Sequence, residues 1–182
     1  MSRVPLLQFR TATSEDIPAL VELVTTAYRG EASRAGWTTE ADLLDGTRIV
    51  PEVLADDLAR PDSRVLIGED RSSGELVACA HLEAVEKAAY FGMFAVLPDC
   101  QGAGAGRALL AEAERVSRDE LKRHRIRMTV IDVRHELIAW YERRGYRKTG
   151  ESHPFPYGDT RFGTPKRDDL QFTVLEKTLS GD

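Results

Sequence analysis

The sequence predicts a mixed α/β fold in which one sheet carries helices on both faces. Three observations predict it. Periodic segments run in the order strand, helix, helix, three strands, helix, strand, helix, strand, strand, and helices interleaved with strands in this way pack onto a shared sheet. The chain has 182 residues, close to the commonest size of one core, so residues 1–182 are expected to form a single domain. Its composition is 42% apolar and 30% charged, with Gly 14 and Pro 8 dispersed along it, which suits a chain able to bury a full core rather than a disordered or fibrous one.

Residues 6–11 alternate weakly and read as a first strand. Thr13-Ser14-Glu15-Asp16 is a helix-start signature ahead of Ile17, Leu20, Val21, Val24 and Tyr28 at helical spacing. From 29 to 46 the pattern dissolves into Gly, Ser, Thr and charge around Trp37, a long polar connection, until Pro51 opens a short helix with Val53, Leu54 and Leu58. Residues 64–68 and 76–82 form a hairpin about the turn 71–74, and 88–97 a third strand stopped by Pro98. Glycine-rich 101–106 then leads into a helix with Ala108, Leu109, Ala113 and Val116 on one stripe. A strand over 127–133 follows, a helix over 136–144 ended by Gly145, and the start of a strand over 146–150. A Pro- and Gly-rich excursion, 152–168, separates it from a closing strand at 170–175.

Charge and cysteine usage exclude several classes. Lys+Arg 25 against Asp+Glu 30 leaves a net charge of -5, without the basic footprint of a nucleic-acid binder. The basic stretch 115–127 is punctuated by acids and reads as a solvated helix face. Cys79 and Cys100 form neither a disulfide framework nor a metal-ligand spacing, so a reducing compartment and no metal are expected. The N-terminus lacks a signal-peptide pattern and no apolar run approaches the roughly 20 residues that span a bilayer, so the expected location is cytoplasmic, with no membrane partner.

The stretch Val96-Leu97-Pro98-Asp99-Cys100-Gln101-Gly102-Ala103-Gly104-Ala105-Gly106-Arg107 carries the chemistry. It lies directly after a strand and before a helix, where small residues let successive N–H groups point inward and the helix dipole adds positive potential. Such a turn cradles a diphosphate. A Walker loop requires Gly-Lys-Ser/Thr, whereas Gly106 is followed by Arg107-Ala108. A dinucleotide fingerprint requires Gly-x-Gly-x-x-Gly, whereas the glycines stand at 102, 104 and 106 with no acidic ribose partner at the expected offset.

Gln101, Gly104 and Gly106 resemble the Gln/Arg-x-x-Gly-x-Gly/Ala signature of the GNAT superfamily of N-acetyltransferases. Trp140-Tyr141-Glu142-Arg143-Arg144-Gly145-Tyr146 is similar to that family's Tyr-x-x-x-Gly-Phe/Tyr, and the likeness runs over residues 6–175. It implies a mostly antiparallel central sheet of about seven strands with one splayed pair, formed by the strand carrying Phe94, Ala95 and Val96 and the strand 127–133. The pantetheine arm of acetyl-CoA would lie in the gap, with the Val96 N–H toward the thioester carbonyl. Gln101, Gly102, Ala103, Gly104, Ala105, Gly106 and Arg107 would hold the diphosphate. Arg134 occupies the position where many members place a pantetheine-contacting Asn, and Leu137 one where they have Ala. Tyr141 matches the hydroxyl that family members place near the CoA sulfur.

Many members also carry a glutamate general base where this chain has Gly92. An alkylamine with a pKa near 10.4 is only about one part in two thousand neutral at pH 7, a cost of roughly 4 to 5 kcal/mol, so some group must take the proton. His81 and Glu83 on the neighbouring strand, with Glu31 from the polar connection, are the candidates. The acceptor is expected to meet Tyr28, Glu31, Trp37, Phe155 and Tyr157, on two long loops rich in rings and charges. Acids Glu31, Glu40, Asp42 and Asp45 would suit a cationic amine, while Arg34, Arg48 and Arg161 would suit an acceptor bearing a carboxylate, and both remain open. The implied activity is transfer of an acetyl group from acetyl-CoA to a primary amine of a small molecule or peptide by direct attack in a ternary complex. The alternative is a non-catalytic acyl-CoA-binding sensor. The resemblance also admits a homodimer.

Overall fold

The computed structural model describes residues 4–180. Strand β1 (Leu7–Thr11) leads into α1 (Ile17–Tyr28), a one-turn helix α2 (Gly30–Ser33), a two-residue strand β2 (Leu44–Asp45) and α3 (Pro51–Ala59). Then come β3 (Ser63–Asp70), β4 (Leu76–Val85), β5 (Ala88–Val96), α4 (Ala105–Asp119), β6 (Arg125–Ile131), α5 (His135–Glu142), β7 (Arg147–Pro154), β8 (Thr164–Pro165) and β9 (Gln171–Thr178). The predicted class holds, with a seven-stranded sheet in the order β1-β3-β4-β5-β6-β9-β7. Every neighbouring pair is antiparallel except β5 with β6.

Strand alternation explains the two layers. Val65 and Ile67 of β3, with Ala95 of β5, pack under Leu20 and Val24 of α1 and Leu54 of α3. Leu66, Leu82, Phe91 and Met128 turn to the other face, under Leu109 and Ala113 of α4 and Ile138 of α5. No helix among the described residues is long and apolar enough to cross a membrane.

The boundaries differ from the sequence reading where local pattern is weakest. β6 occupies residues 125–131 rather than 127–133, because Asp132 and Val133 turn the chain toward α5. β7 runs on into the predicted excursion. It is exposed at every residue, an edge strand with no buried face to imprint an alternation, and its register with β9 shifts between Lys148 and Ser152. β9 continues to Thr178. The polar connection and the late loop, both expected to meet the acceptor, are joined: Leu44 pairs with Pro165 and Asp45 with Thr164.

One irregularity shapes the molecule's centre. Between Cys79 opposite Ala95 and His81 opposite Gly92, β5 carries one more residue than β4, and Met93 sits there at φ 48°. This bulge bends β5 away from β6, and the two strands pair only at Ala89 with Ile126 and Tyr90 with Arg127. Leu82, fully buried beside the bulge, is a sensitive gauge of the core. Leu82→Ala should cost about 2–5 kcal/mol, read as a lower urea midpoint at unchanged m-value.

Candidate active site

A short turn at Pro98–Cys100 carries the chain from β5 into the glycine-rich loop and α4. The first helical bond is from Ala108 N–H to the Gly104 carbonyl at 3.0 Å. Before it, the backbone N–H groups of residues 102–107 make no hydrogen bond of good geometry to a protein acceptor among the described residues. Gly104 caps the helix at φ 92°, a left-handed conformation that a side chain would strain. At Gly106 a Cβ would stand 3.3 Å from the Phe94 ring, so a side chain there would require the ring to shift. A groove of about 380 Å³ opens against these amides, lined also by Arg107, Trp37, Trp140 and Arg144. The Arg144 guanidinium lies over Trp140 at 3.6 Å, and the Trp37 and Trp140 rings are 6.3 Å apart.

Gln101 lines the groove, but its side chain is spent on the protein. Its Oε1 accepts from Trp37 N–H (3.0 Å) and Thr38 N–H (3.3 Å), and its Nε2 donates to Thr38 Oγ1 (2.9 Å) and the Val96 carbonyl (2.9 Å). The full donor and acceptor capacity of the amide is used to tie the polar connection to the loop. A Cβ on Gly36 would collide with it. Ala95 is buried on the α1 face; Ala105 is buried in the core beneath α4, and neither it nor Ala103 lines the groove.

Leu97 N–H donates to Val77 O on β4, so strand alternation turns the N–H and carbonyl of Val96 to the opposite side, into the gap left by β6. The groove continues there into a cavity of about 390 Å³. Tyr28, Phe94 and Leu137 line both spaces. Tyr141, 4% exposed on α5, faces the cavity, and its hydroxyl has no hydrogen-bond partner among the described residues. Burial pushes its pKa far above the usual tyrosine value, so it stays protonated.

His81 and Glu83 reach the same cavity from β4. His81 Nε2 hydrogen-bonds Ser63 Oγ at 2.7 Å, and its Nδ1 lies 3.8 Å from Asp57 Oδ2. Burial pulls the His81 pKa below 6.5, against the pull of Asp57 and Glu83, so the ring is neutral at pH 7. Glu83 is 3.1 Å from Arg60, which also holds Asp57 at 2.9 Å. His81 is the cross-strand partner of Gly92, so the imidazole stands beside the position where the glutamate of many family members is missing.

Also lining the cavity, Arg29, Arg48 and Arg134 surround Glu40, which is 4% exposed. Arg29 pairs with Oε2, Arg134 Nη1 donates to Oε1 at 2.9 Å, and Arg48 Nε is 3.6 Å from Oε2. Burial opposes the charge on Glu40, but Arg134, Arg48 and Arg29 together outweigh it and hold its carboxyl below the usual range. Arg48 and Arg134 stand 5.3 and 5.6 Å from the centroid of the Tyr28 ring. Arg134 therefore lines the cavity rather than the groove beside the loop.

Of the expected acceptor contacts, Tyr28 and Phe155 line the cavity and Trp37 the groove. Glu31 is exposed and bonded to Arg34 at 2.9 Å. Tyr157 is largely exposed, accepts from Leu170 N–H at 2.8 Å and lines neither space. Arg29, Asp57 and Ser63 join the site with no sequence signal, because they come from elements far apart in the chain.

A loop of open amides at a helix start, beside a splayed strand pair, is the arrangement the family resemblance implied. The chain belongs to the acetyltransferase (GNAT) family, whose model matches residues 18–146, and enzymes of this family generally use acetyl-CoA. Solved structures share the fold. The chain is similar to a protein provisionally assigned as a phosphinothricin N-acetyltransferase (19% identity, 97% of this chain and 100% of that one, TM-score 0.68). It is similar also to the ribosomal-protein-S18-alanine N-acetyltransferase of Escherichia coli (18%, 97% and 96%, 0.68). A third is the spermidine/spermine N-acetyltransferase SpeG of Vibrio cholerae (17%, 94% and 92%, 0.65). A search of curated proteins finds no significant match.

Glu40→Gln would leave three guanidiniums without their carboxylate and should cost about 3–5 kcal/mol in denaturant unfolding at pH 7. Because the folded carboxyl titrates below its unfolded value of about 4.3, its stabilisation is present above that pH and lost as the pH falls further. The difference between wild type and Glu40→Gln should therefore shrink in acid.

Proposed function

We propose that the protein transfers an acetyl group from acetyl-CoA to a primary amine, by direct attack within a ternary complex, and that the whole chain acts as one catalytic unit. The observation that carries this reading is the run of amides at 102–107 without well-formed protein acceptors, beside a groove that continues into a half-open cavity. A helix start with open donors suits a diphosphate, and the strand gap suits an extended arm.

Acetyl-CoA, when bound, supplies an acetyl group activated as a thioester. The amides of 102–107 and Arg107 hold its diphosphate, and the Trp37 and Trp140 rings flank it. The Val96 N–H, unclaimed by β4, donates to the acyl oxygen, where one preorganised donor is worth roughly 3 kcal/mol. Tyr141, kept protonated by burial, delivers its proton toward the departing sulfur. His81 takes the proton from the incoming amine, directly or through water. Ser63 fixes its ring, and Asp57 and Glu83 favour the imidazolium that forms. Glu83, tied to Arg60, acts here through charge. Two cysteines in 182 residues suit a reducing, cytoplasmic setting.

Acetyl-CoA should raise the melting temperature, and an amine panel with thiol detection should show turnover; stabilisation without turnover against any amine would favour a sensor instead. Tyr141→Phe should lower kcat about 10-fold to 100-fold while changing the acetyl-CoA Kd little, measured by stopped assay and calorimetry. In wild type kcat/KM should rise along an acid limb whose midpoint lies below 6.5, since His81 must be neutral. His81→Gln should lower activity and remove that limb.

A further inference from the structure

The cavity carries two clusters of charge. Asp57, Glu83 and the neutral His81 line it as one, and Arg29, Arg48, Arg134 and Glu40 as the other. One carboxylate balances one of the three guanidiniums there, so this wall keeps an excess of positive charge. The acids of the flanking loops do not relieve it. Glu31 and Asp42 hold Arg34, Asp45 holds Lys166, and Asp159 holds Arg161, all at the surface. Arg48 is the least engaged of the three: its side chain is 27% exposed and reaches Glu40 only at 3.6 Å. Arg48 and Arg134 bracket Tyr28, whose buried ring carries a hydroxyl with no hydrogen-bond partner among the described residues.

Resting on the transferase reading above, we infer that the acceptor is a small amine that also carries a compact oxyanion, a carboxylate or phosphonate, bound by Arg48, Arg134 and Tyr28 while its amine faces His81. Guanidinium forks match such oxyanions in plane and charge, and burial strengthens the match. A polyamine would bring more positive charge to a wall already in excess, so the same arginines that attract an amino acid repel a polycation. A peptide amino terminus offers no oxyanion next to its amine and gains nothing from them.

The test compares each common amino acid with its carboxamide, its decarboxylated amine and its aminophosphonate, alongside spermidine. Thiol release reads turnover, and calorimetry reads binding of the same compounds to the protein saturated with CoA. At least one amino acid or aminophosphonate should exceed both its amide and its decarboxylated partner by tenfold or more in kcat/KM, or in affinity where nothing turns over. Arg48→Gln should erase that preference, mainly through KM, and Arg48→Lys should keep part of it; the acetyl-CoA Kd of both variants should match wild type. Preference for spermidine or the decarboxylated amines, or an anion preference that survives Arg48→Gln, overturns the inference and leaves the transferase reading standing. Failure of wild type to bind acetyl-CoA overturns both.

Discussion

Two cross-strand pairs, Ala89 with Ile126 and Tyr90 with Arg127, are the only backbone pairing between β5 and β6 among the described residues, and the rest of the site depends on the parting of these strands. The extra residue in β5 at Met93 forces it. A strand bent by a bulge cannot stay in register with a straight parallel neighbour, so the backbone donors beyond the bulge lose their ladder partners. Unpaired donors inside a protein are costly unless something answers them. Val96 and the glycines of the loop border one groove, and on the proposed reading that shared border is what receives an extended, phosphate-bearing ligand.

The walls of the gap are held by polar cross-links rather than by further sheet. Gln101 uses all of its side-chain hydrogen-bonding groups to fasten residues 37 and 38 against the end of β5. Arg134, at the start of α5, reaches back to Glu40 and to the Thr38 carbonyl. The short ladder of β2 with β8 fastens the late loop to the same connection. Long loops that pass over a cavity gain order from such ties, which keep backbone polar groups satisfied where regular structure is absent. The charges in these ties do a second thing. They set Arg134 and Glu40 beside Tyr28, while Asp57 and Glu83 stand beside His81.

Much of the fold was legible in the sequence. α1 and α4 announce themselves by apolar stripes at helical spacing, and the hairpin of β3 and β4 by buried runs about a polar turn. β7 was half missed because an edge strand exposed throughout has no apolar face to register in the pattern. The glycine-rich loop was legible for a local reason: strand, small residues and helix follow one another without interruption. The environment of Gln101 was not, since its partners lie more than 60 residues away at Trp37 and Thr38. Glu31 and Glu40 looked alike in the sequence, both acids in a polar connection; one is exposed, and the other is buried under three arginines.

By itself the sequence determined the class of fold, the order of its elements, the loop of small residues and the tyrosine on α5, because each is written in the spacing of neighbouring side chains. Tertiary structure alone decided which charges meet. The splay of β5, the partnership of His81 with Ser63, and the gathering of Arg29, Arg48 and Arg134 about Glu40 all come from packing α1, α3, α5 and the loops around one opening. Contacts between distant segments are set by how the layers close on the sheet, and no local periodicity encodes that closure.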